Sequence, residues 1–433
     1  MDSGNTAWML VSTALVLFMT PGLAFFYAGM VRSKHVLGML MQNFSAMGLM
    51  AVLWALVGFT IAFGDAGNGG LLGNLDFIGL RDVGPDVGPE FFGLTIPFVL
   101  FCAYQMTFAV ITPALITGAT ADRMKFSAYL LFIGAWLVLV YAPVAHWVFG
   151  GGWLFELGAL DFAGGAVVHI NAGAAALAVV IVLGKRKGWG HDAMPPHSLP
   201  LTLLGTGILW FGWFGFNAGS ALGANAVAAQ ALMNTFLAAS AGMLTWILTE
   251  RLRDGHPTTL GAASGAVAGL VAITPCAGFV GGLAPLVIGG AAGIVCLLAI
   301  SLKNRFGYDD SLDVIGVHLV GGLLGALLLG LFADTAVNEL GYDGLFFGGG
   351  TELLVDQIVA SAATFAYSFV VSLAIAKVID LLVGLRVTPE QELEGLDRSQ
   401  HAETAYAFGS IVSGLGTIVP HGSDAEQRHP VDV

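Results

Sequence analysis

Eleven apolar stretches, most of about 20 residues or more and nearly free of charge, recur along this 433-residue sequence. A run of about 20 apolar residues is what a helix needs to cross a hydrocarbon core of roughly 30 Å. Lipid offers the backbone no hydrogen-bond partners, so runs of this length read as helices that satisfy themselves. They fall at roughly 8–31, 36–63, 91–119, 125–149, 162–184, 199–219, 225–249, 258–275, 280–302, 312–333 and 354–385. The expected class is an all-α polytopic membrane protein. Only 10% of the residues are charged, against about 25% in soluble domains, which excludes an ordinary soluble enzyme. The 61 glycines favour close helix–helix approach. Cys102, Cys276 and Cys296 all lie in apolar runs and form no CxxC pair, so neither a disulfide framework nor a zinc site is expected. The first run starts near Trp8 and is too long for a signal-peptide core, so it is expected to be a true span.

The loops fix an orientation. Arg32 and Lys34 follow span 1, Arg123 and Lys125 span 3, Lys185 to Lys187 span 5, Arg251 and Arg253 span 7, and Lys303 and Arg305 span 9. Of the 16 bases, only Arg81 falls on the other side. The positive-inside rule then puts the N-terminus outside and the C-terminus in the cytoplasm of a cell (inner) membrane. After Arg386 come eight acids against two bases, part of a net charge of −13, so nucleic-acid binding is not expected. Residues 1–386 read as the membrane domain and 387–433 as a cytoplasmic tail. Within the tail, 387–397 reads as a segment able to dock through its leucines, and 414–433 as disordered.

Two histidines sit deep inside apolar spans, His169 in span 5 and His318 in span 10. Ionisable residues there are costly and mark a pathway or a site by default. Asp161 precedes His169 by the interval at which Asp310 precedes His318, and a glycine, Gly173 or Gly322, lies four residues beyond each histidine. Eight helical residues rise about 12 Å, close to half the membrane core. Because five spans are an odd number, spans 6–10 repeat spans 1–5 upside down. Halves of about 8–184 and 199–333 therefore bring both histidines to mid-depth from opposite faces, with span 11 (about 354–385) as an extra helix. This is the pattern of an inverted 5+5 pseudo-twofold repeat with a midplane site. The bland alternative is a pair of buried histidines bonded to backbone carbonyls; a haem ligand is a further one. The remaining histidines, His35 and His146 among them, read as surface or span-end residues. Asp161 reads as a helix N-cap, as a fixed negative charge near a pore mouth, or as both. The aromatic clusters around Tyr104–Phe108 and Trp210–Phe216 read as packing or as a vestibule able to hold a cation.

Asp161-Phe162-Ala163-Gly164-Gly165 running into Val168-His169-Ile170-Asn171, together with Gly212-Trp213-Phe214-Gly215-Phe216-Asn217-Ala218-Gly219-Ser220, Asp313 to His318 and Gly384-Leu385-Arg386-Val387, resembles the Amt/Mep/Rh ammonium transporters over roughly residues 5–406. The resemblance implies eleven helices, a homotrimer with one pore per subunit, ammonium or ammonia as substrate, no cofactor and no enzymatic activity. It implies that His169 and His318 are the pore pair and that Phe108 and Phe216 close the outer mouth. Ser220 and Tyr104 would line a recruitment vestibule with Trp213 and Thr274 nearby, and Asp161 would support it. Phe149 stands where such proteins commonly carry tryptophan, which implies weaker cation retention or a wider vestibule. A PII-type signalling protein is the implied cytoplasmic partner. An ammonium sensor signalling through the tail is the alternative function, and a haem-bearing redox protein a remote one.

Overall fold

The computed structural model describes residues 1–406, apart from 66 and 68; the reading of 414–433 as disordered falls outside them. Among these described residues, ten helices are long and apolar enough to cross a membrane. They are α1 (Ser3–Met30), α2 (Ser33–Phe63), α3 (Phe98–Thr120), α4 (Phe126–Phe149), α5 (Gly165–Leu183), α6 (Leu199–Gly219), α7 (Ala226–Asp254), α9 (Ala284–Phe306), α10 (Ile315–Phe332) and α11 (Glu352–Val383). The shorter apolar helix α8 (Thr259–Ile273) fills the eighth position and completes the eleven. No strand occurs among the described residues. The face carrying residues 64–97 is called outer below, and the face carrying the C-terminal segment inner.

Helix ends differ from the sequence reading where backbone chemistry intervenes. The third span begins at Phe98, not near residue 91, because Pro97 sits at its N-cap and Gly93 turns left-handed at φ 58°. The fifth begins at Gly165, after Gly164 turns left-handed at φ 115°.

The first helices of the two halves, α1 and α6, pack together most extensively of all pairs. Their contact needs small residues: a β-carbon on Gly205 would lie 2.2 Å from the Phe26 backbone nitrogen. Backbones held this close gain dispersion contacts that lipid cannot replace.

Both histidine-bearing helices open in a π-helical turn, Gly165–Ile170 in α5 and Ile315–Leu319 in α10. Such turns are rare and recur at functional sites. Each is anchored by its aspartate. Asp161 accepts hydrogen bonds from the amides of Gly164, Gly165, Ala166 and Val167 at 2.6–3.3 Å. Asp310 accepts from Val314 and Ile315 at 3.1 and 2.7 Å. A helix start leaves four amides without intrahelical partners, so a carboxylate here meets a real electrostatic need.

The inner face is tied by buried charge. Arg123 is wholly buried and donates to the carbonyls of Gly184, Ala119, Ala121 and Asp309 and to Ser311 Oγ. It thereby joins the inner end of α5 to the start of α10. Burial pulls its guanidinium down to about 10, partly offset by Asp309. Two short helices, α12 (Pro389–Glu394) and α13 (Leu396–His401), lie against this face. Leu396 is buried, as expected of a docking leucine, but Leu393 is exposed. Docking relies more on polar contacts: Asp397 accepts from the Gly38 amide at 2.8 Å, and Glu392 from the Lys187 amide at 2.6 Å and from Arg386 Nη2 at 2.7 Å.

Candidate functional site

The site is a narrow passage between the two halves. His169 and His318 meet at its centre. Their Nδ1 atoms are 3.2 Å apart, their ring planes are inclined by 21°, and both side chains are buried. Glycines make this approach feasible. A β-carbon on Gly322 would lie 3.0 Å from His169 Cβ, and one on Gly173 2.5 Å from Leu319 Cβ. One Nδ1 must donate a proton and the other accept it, so the neutral pair holds complementary tautomers. His169 Nε2 is buried and has no partner.

The walls of this passage are otherwise almost wholly apolar: Met19, Leu23, Phe26, Ile111, Leu115, Val168, Leu209, Trp213, Phe216 and Val267. Its free volume is about 10 Å³, room for about one water-sized molecule. Above the histidines, the Phe108 and Phe216 rings lie 4.5 Å apart and tilted by 52°, closing the passage. Phe216 is 6.1 Å from the His169 ring and stacked on it at 19°. The gate rings and the histidines therefore form one continuous column.

Outside the gate lies a vestibule of about 260 Å³, whose lining includes Phe149, Phe108, Phe63, Phe92, Phe101, Phe155, Phe162, Gln105 and Ser220. Gln105 and Ser220 are its polar side chains; the rest of the lining is apolar or glycine. Five further rings, Phe63, Phe92, Phe101, Phe155 and Phe162, were not singled out from the sequence as lining residues. Gln105 had a signal, since three residues of helix put it on the face of Phe108. Phe92 and Phe155 had none, because loop and short-helix residues carry no period.

The other candidate residues take distinct places. Trp213 lies below the gate, stacked at 5.6 Å on His169, with its indole N–H donating to Thr274 Oγ1 at 3.0 Å. Thr274 in turn donates to the Leu270 carbonyl at 2.8 Å. This pair braces the histidine column from the side. Tyr104 is buried behind the gate. Asp161 spends both carboxylate oxygens on backbone amides and stands next in sequence to Phe162, which lines the vestibule. Trp147 points away, donating its indole N–H to the Leu71 carbonyl at 2.9 Å, so Phe149 faces the vestibule without it. His35 and His146, read from the sequence as surface residues, are buried. His35 Nδ1 accepts from the Leu396 amide at 3.2 Å, and His146 Nδ1 pairs with the Ala62 carbonyl at 3.1 Å. Span-end position therefore did not mean exposure, because the C-terminal segment meets His35 and the end of α2 meets His146.

A metal bridging two opposed imidazoles needs nitrogens about 4 Å apart, at roughly 2 Å per bond. The 3.2 Å separation and near-parallel rings disfavour a shared haem iron and suit a shared proton.

Comparison with known proteins bears on the chain as a whole. The model of the Ammonium Transporter Family matches residues 7–406. An ammonium transporter of Mycobacterium tuberculosis (strain ATCC 25618 / H37Rv) is 52% identical over 457 aligned positions, covering 99% of this chain and 96% of that one. Ammonium transporter Amt1 of Archaeoglobus fulgidus is 48% identical, covering 94% of this chain and 100% of its own. Among solved structures, Candida albicans Mep2 superposes with a TM-score of 0.84 at 37% identity, over 90% of this chain and 87% of that one.

Proposed function

The chain belongs to the ammonium transporter family, and we propose that it moves ammonium by deprotonating it at the gate and passing ammonia through the histidine-lined passage. The observation that carries this reading is the buried His169–His318 pair directly beneath a closed aromatic gate.

Physical chemistry favours deprotonation over carriage of the ion. Bringing a bare ammonium-sized cation into low dielectric costs on the order of 20 kcal/mol in an idealised estimate. Removing its proton at neutral pH costs roughly 4 kcal/mol, taking a lysine-like pKa of about 10 as proxy. A passage with about 10 Å³ of free volume admits ammonia without a hydration shell. Potassium and sodium have no proton to lose, so the same route rejects them.

The residues divide the work. Phe149, Phe108 and Ser220 receive the cation in the vestibule, where ring faces and a hydroxyl replace part of its water shell. Phe108 and Phe216 admit it only on opening. The histidines, the titratable side chains of the passage lining, take up the proton that ammonium releases and accept hydrogen bonds from the ammonia, since imidazole is suited to both near neutral pH. Trp213 and Thr274 hold His169 in position. Asp161 keeps the π turn in register and adds negative charge at the mouth.

On the same reading the protein sits in the cell membrane, N-terminus outside, as a homotrimer. Residues 1–386 form the transport domain, and 387–433 a cytoplasmic tail that meets a PII-type protein. The basic inner loops support the orientation, and family membership supports the assembly. The test is ammonium-elicited flux in proteoliposomes. Flux should vanish in the double variant His169→Ala, His318→Ala; wild-type flux in that variant would overturn the reading.

A further inference from the structure

The gate rings belong to different helices, Phe108 to α3 and Phe216 to α6, so something must fix the distance between them. Tyr104 touches both sides. Its ring packs edge-on against Phe108, with centroids 4.9 Å apart at 71°. Its hydroxyl lies 2.9 Å from the carbonyl oxygens of Gly215 and Phe216 and 3.3 Å from Ser220 Oγ. Ser220 Oγ itself donates to the Phe216 carbonyl at 2.9 Å.

The Phe216 carbonyl is among the last four of α6, which ends at Gly219, and the Gly215 carbonyl immediately precedes them. Terminal carbonyls lack intrahelical donors and are left to side chains or water. The tyrosine is only 1% exposed, so its single hydroxyl proton is shared between these two acceptors away from water. Gly219 keeps the space open: a β-carbon there would lie 2.7 Å from the Tyr104 oxygen and 2.8 Å from Ser12 Cβ. Tyr104 does not appear among the vestibule-lining residues.

We propose that Tyr104 is a positioning residue for the gate, a clamp that holds the end of α6 carrying Phe216 through its hydroxyl while seating Phe108 with its ring. It acts on selectivity through the two phenylalanines and not by contact with the cation. The selectivity consequence rests on the transport reading; the clamp itself does not.

Tyr104→Phe keeps the ring and removes the hydroxyl, which separates the two readouts. Hydrogen–deuterium exchange of the amides of residues 217–222 should quicken by about fivefold, the factor equivalent to one net hydrogen bond, while exchange in α8 stays unchanged. In proteoliposomes, the ratio of methylammonium to ammonium flux should rise, because a loosened gate discriminates less by size. A variant that was merely less stable would lower both fluxes together and leave the ratio alone. Phe216→Leu should raise the same ratio, and the double variant should add little to it, since both changes loosen one gate. Unchanged exchange, or faster exchange with an unchanged flux ratio, overturns the proposal. A wild-type protein with no ammonium flux would overturn the transport reading instead, and the exchange result alone would then decide the clamp.

Discussion

His318 Nδ1 stands 3.2 Å from His169 Nδ1, so the two imidazoles share one proton along their common edge. Whichever ring donates leaves its own Nε2 a bare acceptor, and its partner must carry Nε2–H. The passage therefore always presents one acceptor and one donor nitrogen. A molecule that both donates and accepts, as ammonia does, matches this pair, whereas a bare cation meets a donor it cannot use.

Replacing one ring by a carboxylate should undo that discrimination. In His318→Glu the passage gains a fixed negative charge that a desolvated cation can pair with. Potassium currents, expected to be absent in the wild type, should appear while ammonium currents persist. Planar-bilayer or solid-supported-membrane recordings with alternating ammonium and potassium pulses measure this. A variant as blind to potassium as the wild type would show that the histidines do not set selectivity.

Phe149 is expected to make the vestibule a weak collector. Tryptophan has the larger ring face and the stronger cation attraction, with cation–π contacts worth about 0.5–2 kcal/mol. Phe149→Trp should lower the half-saturating ammonium concentration about threefold or more while leaving maximal flux within about twofold, since the change lies outside the gate. Concentration series of ammonium pulses give both quantities. An unchanged half-saturation would mean that the ring does not contact the cation.

Much of this arrangement was legible before any coordinates. Span number, the inverted halves and the histidine pair all followed from apolar run length and the alternation of basic loops. The glycines four residues past each histidine were legible as a pattern but not as a cause. The structure supplies the cause, because Gly322 faces His169 Cβ and Gly173 faces Leu319 where the two π turns cross. The π turns had no sequence signal, since one extra residue per turn hardly disturbs an apolar run. The burial of His35 and His146 was illegible because it depends on Leu396 and Ala62, far away along the chain.

Gly173→Val tests the crossing. Its β-carbon would be forced within 2.6 Å of the Leu319 backbone nitrogen, which no side-chain rotation can relieve. Overpacking of this kind costs about 1–3 kcal/mol or more. The variant should unfold at lower temperature in detergent and lose flux, whereas Gly48→Val, with nothing within 4 Å of its β-carbon, should match the wild type in both.

Asp161→Asn separates capping from charge. The carboxylate serves four amides; an amide side chain has one oxygen to offer, and its NH₂ would face further N–H groups. Charged hydrogen bonds are worth about 1.5–3 kcal/mol, so a loss of about 2 kcal/mol in stability is expected. If Asp161 acted only through its charge, thermal unfolding of Asp161→Asn would match the wild type while ammonium half-saturation rose.

The inner face should fail first in acid. Asp309 accepts from the Arg186 amide, Nε and Nη2 at 2.7–2.9 Å. Burial alone would raise its pKa, but the hydrogen bonds from Arg186 and the positive charges of Arg123 and Arg186 outweigh burial and hold the carboxyl below its ordinary value of 3.8. A depressed carboxylate contributes its full stabilisation above the unfolded value. That contribution is lost as the pH falls below about 4 and through the folded value. Asp309→Asn should therefore be less stable than the wild type at pH 7, by about 2 kcal/mol, because the guanidinium of Arg186 loses its charged hydrogen bonds and keeps only Asp122, 3.7 Å away. The gap should narrow as the pH is lowered through and below 4. Thermal unfolding of both proteins in detergent between pH 7 and pH 3 measures it. A gap that stays constant over that range would mean that the ion pair does not carry the inner face, leaving the fully buried Arg123 and its five acceptors as the tie between α5 and α10.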